Sequence, residues 1–160
     1  IMLITELFTS AQTQLGNPRL AYPLEYMSSN NDRMSATARV GKRWMEIDFV
    51  RVSDRTEPRV LEISFSIDGS MHITGGGDAI RIFNTVLVAL DKFLKQNTPP
   101  DYFVFGAEDA SRISLYSRML SRFLASVGYE QVRLGDLPKE VHDNWGIPYS
   151  ATAFVAKRIK

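Results

Sequence analysis

The cleanest alternation of apolar and polar positions runs from residue 59 to 68. There Leu61, Ile63, Phe65 and Ile67 fall on one face and Glu62, Ser64, Ser66 and Asp68 on the other. A period of two sends successive side chains to opposite faces of a pleated strand, so this run predicts a strand with one core face and one wet face. The run from Trp44 to Val52 repeats the pattern, with Met45, Ile47 and Phe49 opposed to Glu46 and Asp48. A weaker alternation over 34–41 precedes it, and Gly41-Lys42 supplies turn chemistry between the two. A meander of three antiparallel strands with one solvated face accommodates all three runs.

After the Asp68-Gly69 turn and a short Met71-His72-Ile73 stretch, the period changes. Thr74-Gly75-Gly76-Gly77-Asp78 leads into a helical run to Gln96, with Ile80, Phe83, Leu87, Leu90 and Leu94 as its inner stripe. Val86 and Phe93 widen that stripe beyond half the circumference, which predicts a deeply buried helix. Pro99-Pro100 ends it, since proline supplies no backbone donor. The continuously apolar run Tyr102-Phe103-Val104-Phe105, closed by Gly106, predicts a central strand. A second helix is expected over 109–127, with Ile113, Tyr116, Leu120, Phe123 and Val127 inward and Gly128 as its C-cap. A strand over 129–134, a turn-rich segment over 135–150 and a last strand over 151–159 complete the pattern. Toward the other end, Leu3, Ile4, Leu7, Phe8 and Ala11 predict an amphipathic helix over 3–15. The Asn-, Pro- and Ser-rich segment 16–33 predicts a long loop. The expected fold is α+β, a mixed α/β arrangement within one domain over 1–160. It has a mostly antiparallel central sheet of six to seven strands, two central helices and an N-terminal helix.

Composition narrows the function classes. A chain of 160 residues can bury about two-thirds of its unfolded surface. The absence of cysteine excludes disulfides, thiolate metal sites and a cysteine nucleophile. Nineteen Lys and Arg against eighteen Asp and Glu leave a net charge of +1, so no global field draws the chain to nucleic acid or an acidic membrane. No apolar run approaches the roughly 20 residues of a membrane span. Residues Ile1 to Glu6 lack a basic region followed by an apolar core. A soluble, cytoplasmic protein is the expectation, and with only His72 and His142 away from any carboxylate cluster, no metal is expected.

The residues that carry candidate chemistry each have two meanings. Glycines at a helix start let a phosphate approach unsatisfied N–H groups at the positive end of the helix dipole. Gly75-Gly76-Gly77 equally suits a turn needing positive φ, with Asp78 as N-cap or first-turn acid. Glu62 is a carboxylate on a solvated face or a base, and Tyr116 is a core tyrosine or an acid. Arg112, Arg118 and Arg122 form a solvated helix face or a contact for phosphate or an acidic partner. Trp145-Gly146-Ile147-Pro148-Tyr149 suits a lid, a contact surface or a plug for the end of the sheet.

The order of elements over 34–159 resembles the GCN5-related N-acyltransferase superfamily, in which a meander leads into a glycine-opened helix, a strand, a helix and two final strands. The resemblance implies acyl transfer from acetyl-coenzyme A to an amine. It assigns Glu62 as general base, Ile73, Thr74, Gly75, Gly76 and Gly77 to coenzyme binding, and Tyr116 to protonation of the departing thiolate. Several residues depart from the family pattern. His72 or Thr74 stands where its turn begins with Gln or Arg, Asp78 adds a negative charge beside the phosphate position, and Asp109 and Arg112 replace the usual Asn and Ala. The Gly128-Tyr129 pair also comes two helical turns late. The segments Gly77-Asp78-Ala79-Ile80-Arg81-Ile82-Phe83 and Ser111-Arg112-Ile113-Ser114-Leu115-Tyr116 are similar to segments of uncharacterised tailed-bacteriophage proteins. That implies a second possibility, a non-catalytic protein with the same fold acting in a virion or on a host protein. The partner is thus an acyl-coenzyme A or a protein, and the location the host cytoplasm or the virion if the chain is phage-encoded.

Overall fold

A computed structural model describes residues 18–52, 58–68, 77–106, 117, 118, 120, 121, 123–145 and 153–159. Its strands are β1 (Leu24–Asn30), β2 (Arg33–Val40), β3 (Arg43–Arg51), β4 (Val60–Ile67), β5 (Tyr102–Gly106), β6 (Tyr129–Val132) and β7 (Ala153–Arg158). The helices are α1 (Gly77–Gln96), α2, helical at every described position over 117–126, and α3 (Lys139–Trp145). Short 3-10 turns cover Pro18–Leu20 and Leu134–Asp136. The strands form one seven-stranded sheet in the order β1-β2-β3-β4-β5-β7-β6. β4 runs parallel to β5, whereas β1 with β2, β5 with β7 and β6 with β7 are antiparallel. The fold is therefore α+β with a mostly antiparallel sheet. The described residues include no helix long and apolar enough to cross a membrane. The chain divides into two compact units, residues 1–48 with 64–98 and residues 49–63 with 99–160.

In the first unit the period-two pattern is followed closely. Met34, Ala36, Ala38 and Val40 of β2, Met45 and Ile47 of β3, and Phe65 and Ile67 of β4 are buried. Gly41, at φ 64, occupies the left-handed region that the tight β2–β3 turn requires. Phe83 of α1 meets Phe65 edge-on at 6.1 Å between ring centroids, a favoured aromatic geometry. Every residue of α1 from Ile82 to Leu90 is buried, including Asn84 and Thr85.

A helix enclosed on all sides has to satisfy its polar side chains locally. The Thr85 hydroxyl accepts the Tyr22 N–H at 2.9 Å and donates to the Arg81 carbonyl at 2.7 Å. The Arg81 guanidinium lies 4.0 Å from the centroid of the Tyr22 ring, within cation–π range. At the far end of α1, the Thr98 N–H donates to Asn31 Oδ1 at 2.9 Å and Asn97 Nδ2 donates to Ser29 Oγ at 3.2 Å. The segment carrying β1 is thus tied to α1 at two places.

Most of that segment was expected as loop, and the difference has a physical cause. β1 is an edge strand in which no residue is fully buried, so neither face imposes an apolar period. Its ladder with β2, from Leu24↔Ala38 to Asn30↔Arg33, supplies the order instead. Asn30 closes the hairpin by accepting the N–H groups of Asp32 and Arg33 at 2.9 and 3.0 Å. The polar run thus contains an Asx-type turn as well as the exposed strand that feeds it.

The second unit is built on Phe103, whose ring lies 6.3 Å from Phe49 and 5.0 Å from Tyr129. Phe105 and Phe154 add an edge-on pair at 5.8 Å, and α2 contributes the buried Leu120, Phe123 and Leu124. On the other face of the sheet, Val60, Tyr102, Val104 and Val155 form a cluster with Leu137 and Val141. β5 is therefore covered on both faces, as its unbroken apolar run predicts. Gly128, at φ 85, ends α2 in the left-handed conformation. The buried Tyr129 hydroxyl donates to the Pro100 carbonyl at 2.6 Å, and burial pushes the pKa of this phenol well up.

The helix content differs from expectation beyond β6. α3 lies inside the segment expected to be turn-rich, and only Val141 and His142 are buried among its residues with described side chains. Two buried positions are too few to print a helical period on a sequence. The expected N-terminal helix at 3–15 lies outside the described residues.

Two stability changes follow. Thr85→Val keeps the shape but leaves the Tyr22 N–H without its acceptor, and should cost about 1–3 kcal/mol in chemical denaturation; an unchanged midpoint would show that this bond does not hold the segment. For Tyr129, a phenol with a raised native pKa contributes stability that is intact below the unfolded value of about 10 and declines as pH climbs past it. The loss of stability above that pH should be shallower in Tyr129→Phe than in the parent protein, as read by denaturant titration across pH.

Candidate functional site

Glu62 stands third in β4, between the buried Leu61 and Ile63, and is itself half-buried with Ser64 and Ser66. In the parallel register its Cα partner is Val104, and Val60 partners Tyr102. Paired residues in a sheet share a face, so Glu62 projects on the side of Val60, Tyr102 and Val104 rather than on that of Phe103.

Gly77 is the first residue of α1 and Asp78 the second. The leading backbone N–H groups of any helix lack intrahelical acceptors. Of the other residues assigned from the sequence, Ile73, Thr74, Gly75, Gly76 and Tyr116 lie outside the described residues, as do His72, Arg112, Arg122 and 146–149. Arg118 is exposed on α2. His142 is buried on α3, with Nε2 2.9 Å from the Leu134 carbonyl. Among the described residues no three His, Asp or Glu side chains cluster as a metal would require.

The second unit also holds an open cavity of about 680 Å³ where β4 and β5 begin and β7 ends. Pro58, Tyr102, Pro138 and Val141 supply its apolar and aromatic walls, and Asp101, Glu140, Lys157 and Arg158 complete the lining. Backbone bonds fix this corner. The Asp101 carbonyl accepts the Arg158 N–H at 2.9 Å, the Arg59 carbonyl accepts the Asp101 N–H at 2.9 Å, and Asp101 Oδ2 accepts the Arg59 N–H at 2.8 Å. Lys157 lies opposite Tyr102 in the β5–β7 ladder and opposite Glu130 in the β6–β7 ladder. The Val141 N–H donates to the Pro138 carbonyl at 3.0 Å, which turns the chain into α3 and sets Glu140 in its first turn. Burial, and then the negative charges of Asp101 and Glu140, push the Tyr102 phenol above its ordinary pKa.

This cavity was not anticipated because its residues come from four separated stretches, near 58, 101, 140 and 157. The sequence signal at each was a strand end or a loop. The adjacent cations Lys157-Arg158 at the end of the last strand were the one local hint.

No protein-family model, no curated protein and no solved structure matches the chain.

The surroundings of Tyr102 can be checked by following its ring signals in an NMR titration. The phenol should ionise above pH 10, and Glu140→Gln should move that midpoint part of the way back. A midpoint at or below the ordinary value, or one that Glu140→Gln leaves in place, would contradict the arrangement.

Proposed function

We propose that the chain is a GCN5-related acyltransferase-like protein that transfers an acyl group, acetyl from acetyl-coenzyme A, to an amine. The observation that carries this is the connection from β4 through α1 to β5. It joins the parallel pair of strands, and its helix opens at a glycine. The start of a helix that follows a strand of a parallel pair is a recurrent place for phosphate groups, because free N–H groups and the helix dipole point there. The strand order, with β7 between β5 and β6, also supports the likeness.

Each residue then has a role. Glu62 takes the proton from the acceptor ammonium, so that the neutral nitrogen attacks the thioester carbonyl as its carbon–sulfur bond breaks. The Ile73 to Gly77 segment receives the coenzyme, with backbone N–H groups toward the pyrophosphate. Tyr116 returns a proton to the departing sulfur.

One observation favours the alternative of a non-catalytic protein on the same fold, serving a virion or binding a host protein. Asp78 directly follows Gly77 in the sequence, and a carboxylate next to the proposed phosphate position opposes a bound pyrophosphate.

Isothermal titration with acetyl-coenzyme A separates the two. Heat of binding and a raised melting temperature are expected for the acyltransferase, and neither at millimolar ligand would remove the enzyme reading. Glu62→Gln should lower the transfer rate by roughly 10²–10⁴-fold while leaving coenzyme affinity nearly unchanged; equal losses in both would argue against a base. Asp78→Asn should tighten coenzyme binding by about two- to fivefold, from about 0.3–1 kcal/mol of relieved repulsion. Unchanged affinity would place the pyrophosphate elsewhere.

A further inference from the structure

In the first unit, the side chains opposite the buried face of β2 and β3 are half-buried or exposed. Two large aromatic residues belong to that surface, Tyr26 at 59% and Trp44 at 42% exposure. We propose that this sheet face binds a neutral oligosaccharide, with sugar rings packed on Tyr26 and against Trp44 and hydroxyls bonded to the polar groups between them. Such binding is independent of the acyltransferase reading.

Strand register brings the two rings onto one surface. Tyr26 is the Cα partner of Thr37, and paired residues share a face. Thr37 and Arg39 alternate with the buried Ala36, Ala38 and Val40, so they project away from the core. The two-residue turn at 41–42 sets Arg39 opposite Trp44 and Thr37 opposite Glu46. The Arg39 guanidinium accordingly lies 4.5 Å from the centroid of the Trp44 ring. Tyr26 and Trp44 thus stand two strands and one row apart, roughly 12 Å between backbones from spacings of about 4.8 and 6.6 Å. A disaccharide or longer chain reaches from one ring to the other, and a single sugar does not.

Charge excludes the other occupants of an open sheet face. Arg33 and Arg39 on this surface and Lys42 in the adjoining turn are outnumbered by Glu25, Glu46, Asp48 and Asp68. Both arginines already have a carboxylate at 3.8 Å, Asp48 for Arg33 and Glu25 for Arg39. A nucleic acid requires a surplus of cations. The centre of a protein interface is depleted in charge, whereas Arg39 and Glu46 lie between the two rings. A sugar hydroxyl donates to a carboxylate and accepts from a guanidinium, which suits this mixed floor, and the C–H face of its ring packs on an aromatic side chain.

The floor is set before any ligand arrives. Asp68 Oδ1 accepts the Trp44 N–H at 2.9 Å, the Trp44 carbonyl accepts the Asp68 N–H at 2.8 Å, and Ser35 Oγ donates to Asp48 Oδ1 at 2.7 Å. Side chains held on paired strands lose less freedom on binding than loop-borne ones.

The test is an NMR titration of the full chain with cellohexaose, maltohexaose, N-acetylchitohexaose and glucose, read at the Trp44 indole and the Tyr26, Thr37 and Glu46 amides. At least one hexasaccharide should shift these signals saturably, with glucose at least about tenfold weaker because it meets one ring only. Its affinity should be the same at about 50 and about 200 mM salt. Tyr26→Ala and Glu46→Gln, both at exposed positions, should each weaken that hexasaccharide at least about fivefold, while Lys139→Ala on α3 leaves it unchanged. No saturable shift with any of the three at roughly ten millimolar, glucose binding as tightly as the hexasaccharide, or unimpaired binding in either variant would overturn the assignment. So would an oligothymidylate that binds the same residues more tightly than any sugar and weakens as salt rises, since that would make the face a nucleic-acid site. Because the comparison of hexasaccharide with glucose uses the unaltered protein, the outcome does not depend on how the variants fold.

Discussion

The parallel pairing of β4 with β5 is the constraint from which most of the architecture follows. Antiparallel neighbours can be joined by a tight turn, but parallel strands need a crossover of a dozen or more residues. Here the crossover includes the twenty-residue helix α1. To be covered over Ile82 to Leu90 the helix has to be apolar nearly all round, and that enclosure makes the polar Thr85 costly unless it is bonded. The Tyr22 N–H provides the bond, so the arrangement of the chain before β1 is coupled to the crossover that follows β4. An edge strand with almost no apolar period is thereby tied to the crossover helix through side-chain bonds on either side of it.

The elements most legible in the sequence were those in which one environment acts on many consecutive residues. β3 and β4 have one covered and one wetter face, and their alternation shows it; β5 is covered on both and reads as an unbroken apolar run. α1 was visible for the same reason. β1 escaped because its order comes from the backbone ladder and from Asn30, Ser29 and Asn31, whose side chains have the composition of a loop. α3 escaped because Val141 and His142 alone do not define a period. For the candidate site, the place of Glu62 on the polar side of its strand followed from alternation. Its partner Val104 lies 42 residues away in the chain, on a strand whose pairing no local pattern records.

The second unit shows how one sheet face can carry two kinds of surface. Val60, Tyr102 and Lys157 form one cross-strand row, and Glu62, Val104 and Val155 the next. Rows on one face are two residues apart, about 6.6 Å along the strand. Valines occupy the middle of this face and are covered by Leu137 and Val141. Where that cover stops, at the strand ends, the lining turns to charge. A packed centre therefore fixes the backbone from which Lys157 projects on this face, and the short helix α3 closes the cluster through Val141.

The position of β7 between β5 and β6 also has a consequence for how the protein is made. β5 emerges from the ribosome well before its partner on that side, because Phe103 pairs with Ala156 and Phe105 with Phe154. β6 likewise waits for β7, through Gln131↔Ala156 and Val132↔Val155. Until β7 is synthesised, the apolar β5 and the mixed-polarity β6 present open backbone edges, which are templates for pairing with other chains. Insertion of β7 removes both edges in one step, so the nascent chain is most exposed to aggregation during the interval between translation of β5 and translation of β7.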